Sequence, residues 1–304
     1  MGTTVSVLIR TKNEARDISK ALELIRNQSW QPIEIIVVDS GSTDRTVEIV
    51  KQHSDINLIQ IAPEEFTFGR SLNIGFQAAR GEVVVSLSAH AFPCDRYWLE
   101  NLVKPFDDPK VAGTYGKQVP QPDAWPPVRR DYLEFYGDRL RLQTRLDKWY
   151  EHDFSNANSA IRYRCWQERP FDETLTGSED REWARAMLGL GYQIVYKPEA
   201  AVYHSHNEPL FKVYQRTYRE ALATNRLYGK KMTLRVAIET WYGSVVKDAH
   251  FILKNGREWH WLARSPIYRL FWTFGYLRPN LPHALWEPLI NRWKRISHPQ
   301  IQKE

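Results

Sequence analysis

Two adjacent carboxylates, Glu179 and Asp180, stand where Gly177-Ser178 gives way to a helical pattern ending near Leu190. A carboxylate at such a junction can take a proton from a hydroxyl. An acidic pair in a first helical turn also complements the helix dipole, with Ser178 as the cap. Three histidines offer a second chemistry. His204 and His206 lie two apart in a segment read as a strand, which puts both on one face. With His90 they can hold a transition metal through imidazole nitrogen, donate as imidazolium groups to an anion, or simply pack and bond backbone. Asp39 ends an apolar run and opens Asp39-Ser-Gly-Ser-Thr-Asp44. Its carboxylate can accept hydrogen bonds from a base or ribose, or, like that of Asp44, only satisfy turn and cap amides; the binding role is expected for Asp39 and the turn role for Asp44. Arg70 can grip a phosphate in bidentate fashion or remain a surface charge. Asn156 and Asn158, alternating along a strand, can offer amides to sugar hydroxyls or bond across strands.

The elements that position these residues follow from periodicity. Val5 to Arg10, Ile33 to Val38, Asn57 to Ile61 and Val83 to Leu87 are short apolar runs read as strands. Between them lie helical patterns over Ala15 to Asn27, from Arg45 onward with Ser42 or Thr43 as cap, and Ser71 to Arg80 closed by Gly81. Strands that alternate with helices and are apolar throughout predict an α/β fold, with a parallel sheet covered on both faces. Ligands bind such sheets at the carboxyl ends of the strands. That directs attention to Arg10–Glu14, Asp39–Asp44 and Ser88–Pro93. Farther on, Gln118 to Pro127, with four prolines, reads as a loop, Asp131 to Tyr150 as a polar helix, and Ser155 to Arg162 as a strand. Tyr192 to Tyr196 and Ala201 to His206 read as two more short strands.

The chain of 304 residues is long enough for one large domain, or for one domain plus an appendage. Its 42% hydrophobic and 26% charged residues are ordinary for a globular protein. Two cysteines, Cys94 and Cys165, lie far apart and signal neither a disulfide framework nor a thiolate metal site. The N-terminal pattern is unlike a secretory signal, and no uncharged apolar run approaches a membrane span. A cytoplasmic protein is the expectation. The net charge of +6 conceals an asymmetry: from Asn207 onward 17 Lys+Arg face 7 Asp+Glu, which leaves the first 206 residues net acidic.

These segments resemble family 2 glycosyltransferases, which have the GT-A fold and invert the anomeric centre. The resemblance covers roughly residues 4 to 220. It rests on Val5-Ser-Val-Leu-Ile-Arg-Thr-Lys-Asn-Glu14, Ile36-Val-Val-Asp-Ser-Gly-Ser-Thr-Asp44, Asn73-Ile-Gly75 leading to Ala79-Arg-Gly-Glu82, and Glu179-Asp180 followed by His204. Within the family the chain is most similar to bacterial rhamnosyltransferases, through Phe171-Asp-Glu173, Gly177-Ser-Glu-Asp-Arg-Glu-Trp183 and Val202-Tyr-His-Ser-His206.

The resemblance implies a nucleotide-sugar donor whose nucleoside is cradled by Thr11, Glu14 and Asp39; Arg70, by its guanidinium, and Asn73 are also expected on the donor side. It implies Asp180 as the base and Glu179 as its orienting neighbour. It also implies a departure. Where most members carry Asp-x-Asp to hold a divalent ion, this chain has Ser88-Ala89-His90, with no carboxylate. Mg²⁺ prefers oxygen ligands, so a site of His90, His204 and His206 points to Mn²⁺ or another transition metal. A catalytically silent nucleotide-sugar-binding or scaffold subunit is the alternative that this departure raises.

Residues 1–206 are thus expected to form the catalytic domain and 207–304 a helical, basic, tryptophan-rich segment. Trp241, Trp259, Trp261, Trp272, Trp286 and Trp293, half of the twelve tryptophans, fall there. Tryptophan interleaved with cations suits a membrane interface, which would bring the enzyme to a glycan or lipid-linked acceptor at the inner face of the cell membrane. The other reading is a helical hairpin that packs its aromatics in a core or interface. Nucleic acid is not expected as a partner, and the oligomeric state is left open.

Overall fold

The computed structural model describes residues 3–146 and 154–282. The chain divides between Asn207 and Glu208 into two compact units.

In the first unit the strands are β1 (Val5–Thr11), β2 (Ile33–Asp39), β3 (Ile56–Gln60), β4 (Val83–Ser88), β5 (Phe92–Pro93), β6 (Val111–Val119), β7 (Arg141–Gln143), β8 (Asn158–Arg162) and β9 (Gln193–Tyr203). The helices are α1 (Ile18–Arg26), α2 (Thr46–Lys51), α3 (Phe68–Ala78), α4 (Trp98–Val103), α5 (Pro126–Phe135), α6 (Tyr163–Glu168) and α7 (Glu179–Gly189). One nine-stranded sheet runs β3-β2-β1-β4-β8-β6-β9-β5, with β7 also on β9. Its first half, β3 to β4, is parallel as the alternating pattern requires. β8 then enters antiparallel to β4 and β6, so the sheet as a whole is mixed.

Continuous apolar strands place alternate residues on opposite faces. Val5, Val7 and Ile9 of β1 join Ile18, Leu22 and Ile25 of α1 and Trp98, Leu99 and Leu102 of α4 in one buried cluster. Leu8 points the other way, into a second cluster with Leu72 and Phe76 of α3 and Trp183, Ala184 and Met187 of α7. Helices therefore cover both faces. Helix α3 lies so close to β1 that a Cβ on Gly75 would meet Leu8 Cδ1 at 2.3 Å.

Several expected boundaries move. The helix after β2 begins at Thr46 without a side-chain cap from Ser42 or Thr43, because those hydroxyls serve the preceding turn. Helix α3 starts three residues early, at Phe68, where the Thr67 hydroxyl accepts the Arg70 N–H. The polar run expected as a helix over 131–150 is divided. Pro126 and Pro127 open α5 in its first turn, where a missing N–H costs nothing, and Arg141–Gln143 then pairs with β9. Residues 147–153 lie outside the described residues. The two short strands expected around 192–206 are one strand, β9, which passes Pro198 through an irregularity in its pairing with β6 between Gly116 and Gln118. β9 ends at Tyr203, so His204 and His206 follow the strand rather than lie on it.

The second unit contains α8 (Leu210–Tyr228), α9 (Leu234–Asn255) and α10 (Trp261–Leu277). Gly229 and Gly256 take left-handed φ values of 62° and end α8 and α9. A fully buried pair joins α9 to α10: Arg269 donates to both carboxylate oxygens of Asp248, at 2.7 and 2.8 Å, and Ser265 donates to the same group at 2.5 Å. Trp261 is buried and Trp241 donates to the Pro266 carbonyl, so these two serve the interior. Trp259 is exposed. Trp286 and Trp293 lie outside the described residues. No described helix is long and apolar enough to cross a membrane.

Candidate active site

The carboxyl ends of the central strands form the site's floor. Thr11 ends β1 directly beside Asp39, which ends β2, and its hydroxyl donates to Asp39 Oδ2 at 3.0 Å. Asp39 also accepts the N–H groups of Gly41 and Ser42, at 3.1 and 3.0 Å, and the Ser42 hydroxyl. Four protein donors thus meet the roughly four lone-pair positions of a carboxylate. Asp39 holds the turn, and a base or ribose would have to displace one of these donors to reach it. Asp44 is a turn residue as expected, accepting from Thr46 and from the Ala15 N–H. Asn13, with a left-handed φ of 58°, fastens the loops after β1 and β2 together: its Oδ1 accepts the Thr43 N–H at 2.7 Å and its own N–H donates to Ser42.

Two residues expected on the donor side are elsewhere. Asn73 is buried, and its amide is fully used: Nδ2 donates to the Phe171 carbonyl and Glu173, while Oδ1 accepts from the Trp166 indole and the Phe171 N–H. It staples α3 to the Phe171–Glu173 segment and has nothing left for a ligand. Arg70 pairs with Glu65 at 3.3 Å and approaches Glu173 at 4.0 Å on an exposed surface, which is its surface-charge reading. Asn158 is likewise structural. It is fully buried, accepts from the Trp98 indole and donates to the carbonyls of Lys117 and Ala200. Its amide does not reach a sugar, because β8 is an interior strand.

The three histidines do come together. Ligand atoms of His90, His204 and His206 all lie within 4.8 Å of one another. The His90 and His204 rings stack at 5.0 Å, and His206 stands edge-on to both. Glu14 Oε1 lies 2.9 Å from His90 Nδ1. A carboxylate there can only accept, so Nδ1 carries a proton, while Nε2 lies 3.2 Å from the Ser88 hydroxyl. His204 Nδ1 stands 2.7 Å from Gln118 Oε1, which likewise accepts from it. Burial, and then the charges of His206 and His90, hold the His204 pKa well below the ordinary histidine value. It is therefore held in the neutral form. A nitrogen donor set with Nδ1-oriented imidazoles fits a transition-metal divalent cation and is a poor match for Mg²⁺. Glu14 thus belongs to the histidine cluster through a contact that Ser88-Ala89-His90 alone did not reveal.

At the start of α7 the expected Ser178 side-chain cap is absent; Ser178 has a left-handed φ of 61°. Glu179 is buried, with Arg10 Nη1 3.9 Å away. Burial, then the neighbouring Asp180, push its pKa up to about 7 against the opposing Arg10 charge. Asp180 is less buried and accepts the Asn156 N–H at 3.1 Å on Oδ2 and the Arg181 N–H at 2.8 Å on Oδ1. Each oxygen keeps a lone pair, so this carboxylate is fixed in place yet able to receive a proton. In the sequence Arg10 is marked only as the start of a strand-end loop and Asn156 only for its side chain, and Gln118 carries no site signal; the folding of distant strands brings Arg10, Gln118 and the Asn156 backbone N–H here.

The doubly covered α/β sheet thus gathers these groups at the carboxyl ends of its strands, where such sheets bind their ligands. Residues 6–168 match glycosyl transferase family 2, and the chain belongs to that family. It is a glycosyltransferase. It is similar to the O-antigen chain rhamnosyltransferase RfbN of Salmonella typhimurium, at 29% identity over 70% of each chain. It is also similar to the O-antigen chain rhamnosyltransferase WbaN of Salmonella anatum, at 32% identity over 64% of this chain and 63% of the relative. Among solved structures, the mannosyltransferase PcManGT from Pyrobaculum calidifontis, in complex with GDP-Man and Mn²⁺, shares the fold. The TM-score is 0.61 at 20% identity, covering 94% of this chain and 88% of that one.

Proposed function

We propose that the protein transfers rhamnose, with inversion, from a nucleoside diphosphate donor to a growing cell-surface glycan. The likeness to two O-antigen chain rhamnosyltransferases supports the sugar and the acceptor class. The observation that carries the chemistry is the Asp180 carboxylate, positioned by two backbone amides beside a buried Glu179. The nucleoside lies over the loops after β1 and β2, with its diphosphate toward the histidine cluster. His90, His204 and His206 would hold a divalent cation, Mn²⁺ rather than Mg²⁺, and that cation supplies charge neutralisation for the departing diphosphate. Asp180 takes the proton of the acceptor hydroxyl. The acceptor oxygen then bonds to the anomeric carbon from the face opposite the diphosphate, and the carbon–phosphate oxygen bond breaks with its electron pair on the diphosphate. Glu179, whose burial favours its protonated form, lets two adjacent carboxyls coexist without full repulsion.

The C-terminal unit supports a peripheral contact with an anionic membrane at the inner face, through its excess of cations and exposed Trp259. A donor screen by thermal shift, with and without Mn²⁺, tests the assignment. The correct nucleotide sugar should raise the melting temperature by mass action, and release of nucleoside diphosphate should follow. Silence with every donor and metal would return the protein to the scaffold reading.

A further inference from the structure

We infer that Gln118 is a positioning residue that fixes the His204 tautomer and ties the histidine cluster to the segment that holds Asp180; this rests on the metal-binding reading above. Gln118 is buried near the end of β6. Its Oε1 lies 2.7 Å from His204 Nδ1, and its Nε2 donates to Ser155 Oγ at 3.0 Å. In this orientation the amide gives Nε2 to the serine hydroxyl and turns its oxygen to His204; an amide oxygen only accepts, so His204 carries its proton on Nδ1 and presents Nε2 as the ligand nitrogen. The neighbouring Val119 carbonyl accepts the His204 N–H at 2.8 Å, so β6 clamps both the backbone and the ring.

Ser155 continues the connection, because it precedes Asn156, whose N–H holds Asp180 Oδ2. A single buried amide therefore stands between the group proposed to face the diphosphate and the strand entry that fixes the base. Partners of this kind in metal sites change affinity by about 10- to 100-fold when removed.

Two-dimensional ¹⁵N spectra of histidine-labelled, metal-free native protein test this without any variant of Gln118, with His204→Gln identifying the signal. Protonated Nδ1 and unprotonated Nε2 on His204 are expected, and the reverse tautomer overturns the inference. Mn²⁺ titration by calorimetry then compares variants. Gln118→Leu should bind Mn²⁺ about 10- to 100-fold more weakly, whereas Gln118→Glu, which keeps an acceptor for Nδ1, should stay within about threefold of native. Native-like binding by Gln118→Leu, or equal losses in both folded variants, would also overturn it. If the native protein binds no Mn²⁺, the metal reading fails, and the tautomer measurement alone decides the role of Gln118.

Discussion

His90 Nδ1 and Glu14 Oε1 stand 2.9 Å apart although 76 positions separate them in the chain. They meet because β1 and β4 are parallel neighbours in the sheet and both residues lie past the carboxyl ends of those strands. The contact gives a carboxylate to a site whose own segment, Ser88-Ala89-His90, has none.

Glu14→Ala should therefore weaken Mn²⁺ binding by about tenfold or more, with little change in nucleotide affinity measured without metal. If the variant instead loses metal-independent nucleotide affinity and keeps Mn²⁺, Glu14 lines the nucleoside cradle and His90 does not depend on it.

Asp180→Asn keeps the shape of the side chain but cannot take a proton from the acceptor. Transfer should fall by about a hundredfold or more while donor affinity is retained. Kinetics and calorimetry on one preparation separate the two quantities. A retained rate would shift the base to Glu179.

The raised pKa of Glu179 gives stability a definite pH dependence. A folded pKa of about 7 against 4.5 in the unfolded chain means that this carboxyl favours the fold most below pH 4.5. That contribution is lost as pH rises toward and through 7. Glu179→Gln cannot ionise, so its melting temperature should gain on the native protein between pH 4.5 and 8. Parallel melting curves across that window would show that Glu179 ionises normally in the fold.

Asn73→Ala tests the staple between α3 and the Phe171–Glu173 segment. It leaves the buried Trp166 indole and Phe171 N–H without their acceptor, and roughly 1–3 kcal/mol is expected for each group so stranded. Denaturant midpoints should fall markedly while donor affinity of the folded fraction is unchanged. An intact stability with lost donor affinity would put Asn73 back on the donor side.

The full chain should sediment with anionic vesicles at low salt and be released as salt rises, since the attraction of basic residues is screened. Removing everything from Trp259 is unsuitable as a test, because Trp261, Ser265 and Arg269 belong to the interior of the C-terminal unit. A chain that never sediments with such vesicles would leave the exposed Trp259 and the excess cations without a membrane role.

Local sequence determined much of this protein. Apolar runs separated by helical periodicity set the parallel half of the sheet, and the ends of those runs marked the loops that bear Thr11, Glu14, Asp39 and His90. The Glu179-Asp180 pair was legible because an acidic couplet at a helix start is a local pattern. Roles that depend on what lies across the sheet were not legible. Asn73 and Asn158 looked like ligand-binding side chains, yet their polar atoms are met by distant protein partners, a fact set by packing rather than by residue type; Asp39 serves its own turn through Gly41 and Ser42, with Thr11 the one donor from the neighbouring strand. Glu14 and Gln118 became partners of His90 and His204, because Nδ1 needs an acceptor at hydrogen-bond distance and only the assembled strand ends supply one. Burial of Glu179 likewise depends on α7 lying against the sheet. Residue type and spacing fix which chemistry is available; tertiary structure decides which donor meets which acceptor, because hydrogen bonds and desolvation act over a few ångströms and those distances are set by the fold.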